Sequence, residues 1–240
     1  MSVEVAIQNH PRAVATAHPQ LVSPIRTGIP RFIEIVVAVA GLVVFAPFLA
    51  LAAAAVTLTS RGGIIFRQQR MGQGGQTFTL YKLRTMRLTH EETQVTAGDD
   101  VRITSLGKFL RKTKLDEIPQ LWNVLKGNIS LVGPRPEVPR YVDLENSLWK
   151  LVLEVKPGIT DPMTLRLRNE EELLAEVIGD REHFYLKTLQ PFKLKGYLTY
   201  LQDRSWWSDV KVLWKSSVVV VLPSKVPPLT VKEISTAYDQ

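Results

Sequence analysis

Apolar residues fill one stretch of the chain and alternate with polar ones almost everywhere else. From Phe32 to Thr59 the sequence FIEIVVAVAGLVVFAPFLALAAAAVTLT carries a single charge, Glu34. Its length exceeds the roughly 20 residues that a helix needs to cross a bilayer, and it is too long and starts too late for a cleaved signal peptide. Pro47 falls near its middle, where a missing N–H and a ring clash bend a helix. Basic residues flank it evenly, with Arg12, Arg26 and Arg31 before it and Arg61, Arg67 and Arg70 after it. A spanning helix carries excess positive charge on its cytoplasmic side. Even flanks suit a broken helix that enters and leaves by one face, so a single crossing and a re-entrant helix both stand.

Beyond this segment the period shortens. GGIIFRQQRMGQGGQTFTLYKLRTM, residues 62–86, reads as two strands around a turn, with Phe78 and Leu80 alternating against polar neighbours and Gly72, Gly74 and Gly75 in the turn. The glycines lack the GxGxxG spacing that opens a dinucleotide-binding helix, so a hairpin is expected. Residues 105–127 read as two helical pieces. The second is marked by Ile118, Leu121, Trp122 and Leu125 and closed by Gly127. The break lies at Asp116 to Pro119; because proline is accepted in a first helical turn, Asp116 and Glu117 are expected at the start of the second helix. More helices are expected at the Glu-rich stretch 170–176 and over FYLKTLQPFKLKGYLTYL. Trp206, Trp207 and Trp214 precede the apolar run Ser216 to Leu222, too short to span, which suits an interfacial segment or a buried core element equally.

Thirty Lys and Arg against 23 Asp and Glu give a formal charge of +7, which suits nucleic acid, an anionic membrane or a phosphorylated substrate. Arg61, Arg67, Arg70, Lys82, Arg84 and Arg87 follow the apolar segment, where basic residues meet anionic lipid headgroups. With no recognisable nucleic-acid module, anionic membrane lipid is the expected partner and nucleic acid is not. The absence of cysteine excludes disulfides, thiolate metal sites and cysteine nucleophiles. Ser130, Ser147 and the four histidines form no nucleophile–base spacing, no HExxH occurs, and His90 and His183 lie in polar stretches.

Chemistry concentrates in RKTKLDEIPQLWNVLKGNISLVGPRPE, Arg111 to Glu137. A helix N-terminus favours both a carboxylate and a bound phosphate, so Asp116 can stay ionised beside an anionic substrate. Carboxylates attack phosphorus to form an aspartyl-phosphate, which splits one hard transfer into two easier ones. Arg111, Lys112, Lys114 and the proline-flanked Arg135 are candidate countercharges, and magnesium commonly bridges carboxylate and phosphate oxygens. An isolated Asp-Glu pair is far more often a capped helix start with solvated charges, because Asp and Glu are favoured in first helical turns.

Three motifs in order remove that ambiguity. QQRMGQGGQTFTLYKLRTM, KLDEIPQLWNVLKGNISLVGPRPE and KPGIT closely resemble the bacterial sugar transferase family, the monotopic phosphoglycosyl transferases, over about residues 32–160 and more weakly toward 222. The resemblance implies a ping-pong transfer of sugar-1-phosphate from a UDP-sugar donor to a polyprenyl phosphate acceptor. It places this at the cytoplasmic face of the bacterial inner membrane, with magnesium as cofactor. Asp116 is implied as nucleophile and metal ligand, Glu117 as its assistant, and Lys82, Arg84, Arg111 and Arg135 as the groups that hold the diphosphate. Pro47 matches the break of the family's re-entrant helix. A second copy of the chain and downstream glycosyltransferases are further partners on this reading.

Two departures stand out. Ala46-Pro47 replaces a frequent Ser-Pro, and DPMTLRLRNEEELL follows KPGIT in place of a tryptophan and an NGR-type segment, in a region expected to shape the sugar pocket. The expected fold class is α+β, mostly helical, with a Pro-broken re-entrant membrane helix, a small β-hairpin and interfacial amphipathic helices. Its parts are a leader (1–30), the membrane helix (31–60), a catalytic domain (61–225) and a C-terminal tail (226–240). A catalytically inactive membrane scaffold is the alternative, against which intact Asp116, Glu117 and Arg135 speak.

Overall fold

The computed structural model describes residues 27–59, 62–87, 96–222, 228–230 and 233–234. Arg12, Arg26, Arg61, His90 and most of the expected leader lie outside the described residues. The fold is mostly helical with two small sheets, as expected of an α+β chain.

The apolar segment forms α1, Arg31–Thr59, with Pro47 inside it. One stripe of the helix packs inward: Ala38 joins the core cluster of Val124, Ile129 and Leu131, and Leu49, Ala52 and Val56 join the one that holds Leu83, Leu106 and Leu110. The remaining faces carry Val36, Val43, Val44, Phe48, Leu51 and Leu58, each more than half exposed. Such a surface is unsuited to water. Glu34, the one charge in the apolar run, is buried and paired. Arg31 Nη1 donates to Glu34 Oε2 at 3.1 Å, and Glu34 Oε1 accepts the Leu131 N–H at 3.1 Å. Arg31 Nη2 also donates to the carbonyls of Val124 and Leu125. These lie near the end of a later helix, Gln120–Lys126, where carbonyls lack intrahelical partners.

Strands β1, Ile65–Met71, and β2, Thr77–Leu83, form the expected antiparallel hairpin. Its turn uses Gly74 and Gly75 at φ 67° and 74°, a conformation that costs glycine little. Helix α2, Ser105–Lys112, is capped by Thr104, whose side chain accepts the Gly107 N–H. Helix α3, Gln120–Lys126, ends on Gly127 in the left-handed region. Asn123 fixes α3 to β2 by imitating a strand: Oδ1 accepts the Tyr81 N–H at 3.1 Å and Nδ2 donates to the Thr79 carbonyl at 2.7 Å.

The structure adds a second sheet, a parallel pair of β3, Ser130–Val132, and β4, Gly158–Thr160. The crossover between them carries α4, Ser147–Val152. A Cβ on Gly158 would lie 2.1 Å from the Gly133 nitrogen. Only glycines let these two backbones approach, and their closeness sets the position of Pro134-Arg135-Pro136 just beyond.

The remaining helices cover this platform: α5 (Pro162–Arg166), α6 (Glu170–Glu176), α7 (Arg181–Phe184), α8 (Gln190–Gln202) and α9 (Trp206–Val221). The turns between α7 and α8 widen to a π-helix at Tyr185–Leu189, just before Pro191, which has no N–H to donate. Leu229 and Ile234 are buried in the main core cluster with Leu173 and Leu174. In helix α9, Val212 and Val219 are buried, while Trp207 and Trp214 are 64% and 71% exposed.

Candidate active site

Asp116 and Glu117 lie in a 3₁₀ turn, Leu115–Glu117, that runs into α3 through Ile118 and Pro119. The pair therefore sits just ahead of the second helix and not within its first turn. Proline blocks α-helical hydrogen bonding here, and i to i+3 bonds replace it: Ile118 N–H to Leu115 O, Leu121 N–H to Ile118 O and Trp122 N–H to Pro119 O. Lys114, immediately before the turn, has φ 58°. A non-glycine residue in that region stores strain, which gathers at functional sites.

The two carboxylates have opposite surroundings. Glu117 Oε1 accepts from Lys82 Nζ at 3.0 Å and from Arg135 Nη2 at 2.5 Å, and Glu117 Oε2 faces Arg135 Nη1 at 3.4 Å. Burial works to raise its pKa, but Arg135, Lys82 and Lys114 outweigh that and hold Glu117 well below the usual carboxylate range. Arg135, facing Glu117, has its pKa raised in turn. Burial pulls Lys82 down, with Glu117 opposing.

Asp116 is 5% exposed, and its Oδ1 is buried without a hydrogen-bond partner. Burial first, and the neighbouring Glu117 charge second, push its pKa up to about 6, against the pull of Lys82, Lys114 and Arg111. The site thus holds one carboxylate locked in ion pairs and one left with an uncommitted oxygen.

The other predicted basic residues are placed differently. Arg111 is held by Thr85 Oγ1 at 2.9 Å and by Glu171 Oε1 at 2.5 Å. The guanidinium of Arg84 lies against Gly62, where α1 meets the hairpin. Arg135 is steadied by its flanking prolines and by the Ile159 carbonyl at 3.4 Å. Behind it, Arg70 Nη1 donates to the Pro136 carbonyl at 3.0 Å, the Tyr185 hydroxyl donates to Glu137, and Lys193 joins Tyr185 to Glu170 at 3.2 Å.

The family profile described as bacterial sugar transferase matches residues 25–223. The chain belongs to the bacterial sugar transferase family. Among curated relatives, a Caulobacter vibrioides protein named UDP-glucose:undecaprenyl-phosphate glucose-1-phosphate transferase is 35% identical over 192 residues, covering 78% of this chain and 67% of its own length. A Klebsiella pneumoniae protein of the same name is 35% identical over 77% of this chain and 38% of its own length. An Aeromonas hydrophila protein named UDP-N-acetylgalactosamine-undecaprenyl-phosphate N-acetylgalactosaminephosphotransferase is 34% identical over 82% and 44%. The chain therefore spans less than half the length of two of these relatives. Relatives named for different sugars match it about equally, so identity alone does not select a sugar.

A divalent cation of the kind the family resemblance implies meets one fitted donor here, the unpartnered Asp116 Oδ1. Among the described residues no group of three or more His, Asp or Glu is placed to hold a metal.

The structure brings together Glu117, Lys82 and Arg135, which the sequence had singled out beside Asp116, and adds groups around them that it had not. Glu171 was visible only as part of an acidic stretch, and Arg70 only as one of several basic residues after the apolar segment. Gln120, 1% exposed with its amide nitrogen unpartnered, gave no signal, because a glutamine in a first helical turn is unexceptional.

Proposed function

We propose that this family member transfers a sugar-1-phosphate from a UDP-sugar to a polyprenyl phosphate, by two displacements at phosphorus with Asp116 as nucleophile. In the first, an Asp116 carboxylate oxygen attacks the sugar-linked phosphorus. The bond from that phosphorus to the bridging oxygen breaks, UMP leaves, and the phosphosugar stays on Asp116. In the second, a polyprenyl phosphate oxygen attacks the same phosphorus and the acyl-phosphate bond breaks, restoring the carboxylate. The observation that carries this reading is the contrast within the dyad, where Glu117 is clamped by Lys82 and Arg135 while Asp116 keeps a buried, uncommitted oxygen.

Glu117 acts by aligning Lys82 and Arg135 toward the diphosphate and by raising the basicity of its neighbour. Arg135 supplies a rigid fork for phosphate oxygens. Lys114 and Arg111 add positive field at the dyad. Magnesium, held by Asp116, would neutralise charge on the phosphates when bound. The names of the relatives supply the substrate classes, the apolar exposed surface of α1 supports a membrane location, and the cytoplasmic side follows from the family resemblance alone.

The re-entrant reading of α1 rests on its contacts. Helix α1 meets the same body at two places about 27 Å apart along its axis, Ala38 in the cluster that holds Val124 of α3 and Val56 in the cluster that holds Leu83 of β2 and Leu110 of α2. A segment that crossed the bilayer would carry one end away from that body, whereas one bent at Pro47 returns it.

The test is UMP release from a panel of UDP-sugars with magnesium and undecaprenyl phosphate, comparing the parent with Asp116→Asn. Release with one donor by the parent, lost in the variant, is expected. Equal release by the variant overturns the assignment.

A further inference from the structure

Two buried polar atoms beside the dyad have no hydrogen-bond partner: an acceptor, Asp116 Oδ1, and a donor, Gln120 Nε2. Buried side-chain donors in folded proteins are nearly always paired, so the amide calls for a cause. The residues three before and three after it are satisfied. Glu117, three residues before, meets Lys82 of β2, and Asn123, three residues after, is bonded to Thr79 and Tyr81 of the same strand. Residues three apart share a face in a helical stretch. Gln120 therefore lies on the face turned toward β2, between those two contacts and one turn on from Asp116. A direct bond between Gln120 Nε2 and Asp116 Oδ1 would satisfy both atoms, and it is not made.

Three of the charged donors at the site are already engaged. Lys82 and Arg135 are bonded to Glu117, and Arg111 to Glu171. An incoming phosphoryl oxygen thus meets cations whose hydrogen bonds are partly spent, whereas the Gln120 amide carries no such commitment. We propose that Gln120 donates its side-chain N–H to a nonbridging oxygen of the phosphoryl group under transfer. The proposal rests on the transferase reading above and assigns that reaction a further substrate-contacting residue. The amide keeps its proton throughout, and its dipole is fixed in place by burial before charge develops on the phosphoryl oxygens. Being neutral, it adds a hydrogen bond without raising the pKa of Lys82 or competing for Glu117.

The test compares the parent, Gln120→Met, which has similar volume and no donor, Gln120→Asn, which keeps the amide on a shorter stem, and Asp116→Asn. Each is purified as the full chain in detergent. Two quantities are read: turnover in UMP release, and the shift in unfolding temperature that inorganic phosphate with magnesium produces. Gln120→Met is expected to unfold at the parent's temperature without ligand, to lose the phosphate-induced shift, and to turn over about 100-fold more slowly, the scale set by removing one donor from a developing oxyanion. Gln120→Asn is expected to recover part of both quantities, which a purely structural role for the side chain would not produce. Should Gln120→Met unfold, Gln120→Leu, which is neutral and has no donor, is read in the same way. A phosphate shift and turnover in the donor-less variant equal to the parent's, or no phosphate shift in the parent, overturns the proposal. Phosphate binding that depends on Gln120 in a parent that releases UMP from no UDP-sugar upholds the contact and overturns the transferase reading instead.

Discussion

Adjacent carboxylates with opposite environments respond oppositely to neutralisation. Asp116, with its pKa near 6 against an ordinary 3.8, binds a proton in the folded state over a pH range where the unfolded chain has released it. Stability therefore falls as pH rises through that window. Its ionised form costs about 2–3 kcal/mol above pH 6, at roughly 1.4 kcal/mol per pKa unit. Asp116→Asn removes this cost, so in chelator-containing buffer its unfolding temperature is expected to exceed the parent's at pH 8, with the gap closing toward pH 4. No gap at pH 8 would mean that Asp116 is not held at a cost. Glu117→Gln acts in the other direction, leaving Lys82 and Arg135 without their countercharge, and buried pairs broken in this way lose about 3–5 kcal/mol. A lower unfolding temperature at pH 8 is expected, and one equal to the parent's would mean that the clamp contributes no stability. Asp116, Glu117 and Arg135 could be singled out in the sequence because motifs that resemble the family's, in order, carry them. The division of labour between the carboxylates was not legible, since it depends on which of them Lys82 and Arg135 reach, and Lys82 approaches from a strand 35 residues away.

At the level of elements, legibility followed length and periodicity. The hairpin, α2 and α3 each span enough residues to show a period and end on recognisable punctuation, such as Gly127 at φ 80°. Strands β3 and β4 have three residues each, too few for alternation to register. KPGIT could be matched as a motif without revealing that it pairs with Ser130–Val132. The dyad also fell slightly ahead of its expected place, because Pro119 favours a 3₁₀ turn there over an α-helical one. The Gly133–Gly158 contact is the sharpest constraint among these elements. A methyl group on Gly158 would meet backbone at 2.1 Å, and overpacking of this kind costs about 1–3 kcal/mol or more. Gly158→Ala is expected to unfold at a lower temperature and to lose UMP release through displacement of Arg135. Parent-like values for both would show that this junction does not set the arginine.

At the scale of the whole molecule, α1 is both the most legible segment and the one whose meaning depends most on context. Its apolar character follows from composition, but composition does not say whether the far end returns. The paired Arg31 and Glu34 tie its start to α3 and β3, and Val56 ties its end to α2 and β2. The chain has no cysteine, so single cysteines placed at the exposed residues Phe32 and Thr57 report cleanly on sidedness. Both are expected to react with a membrane-impermeant maleimide only when the cytoplasmic face is open. Labelling of either one from the periplasmic side would refute the re-entrant reading.

The covalent step is the centre of the account, and it is tested by incubating the protein with a UDP-sugar and magnesium without polyprenyl phosphate, then digesting under mild acid conditions that preserve an acyl phosphate. The account predicts that a peptide containing Asp116 gains the mass of one phosphosugar, that fragmentation places it on Asp116, and that polyprenyl phosphate discharges it. Turnover with no such adduct, or an adduct on another residue, would contradict it.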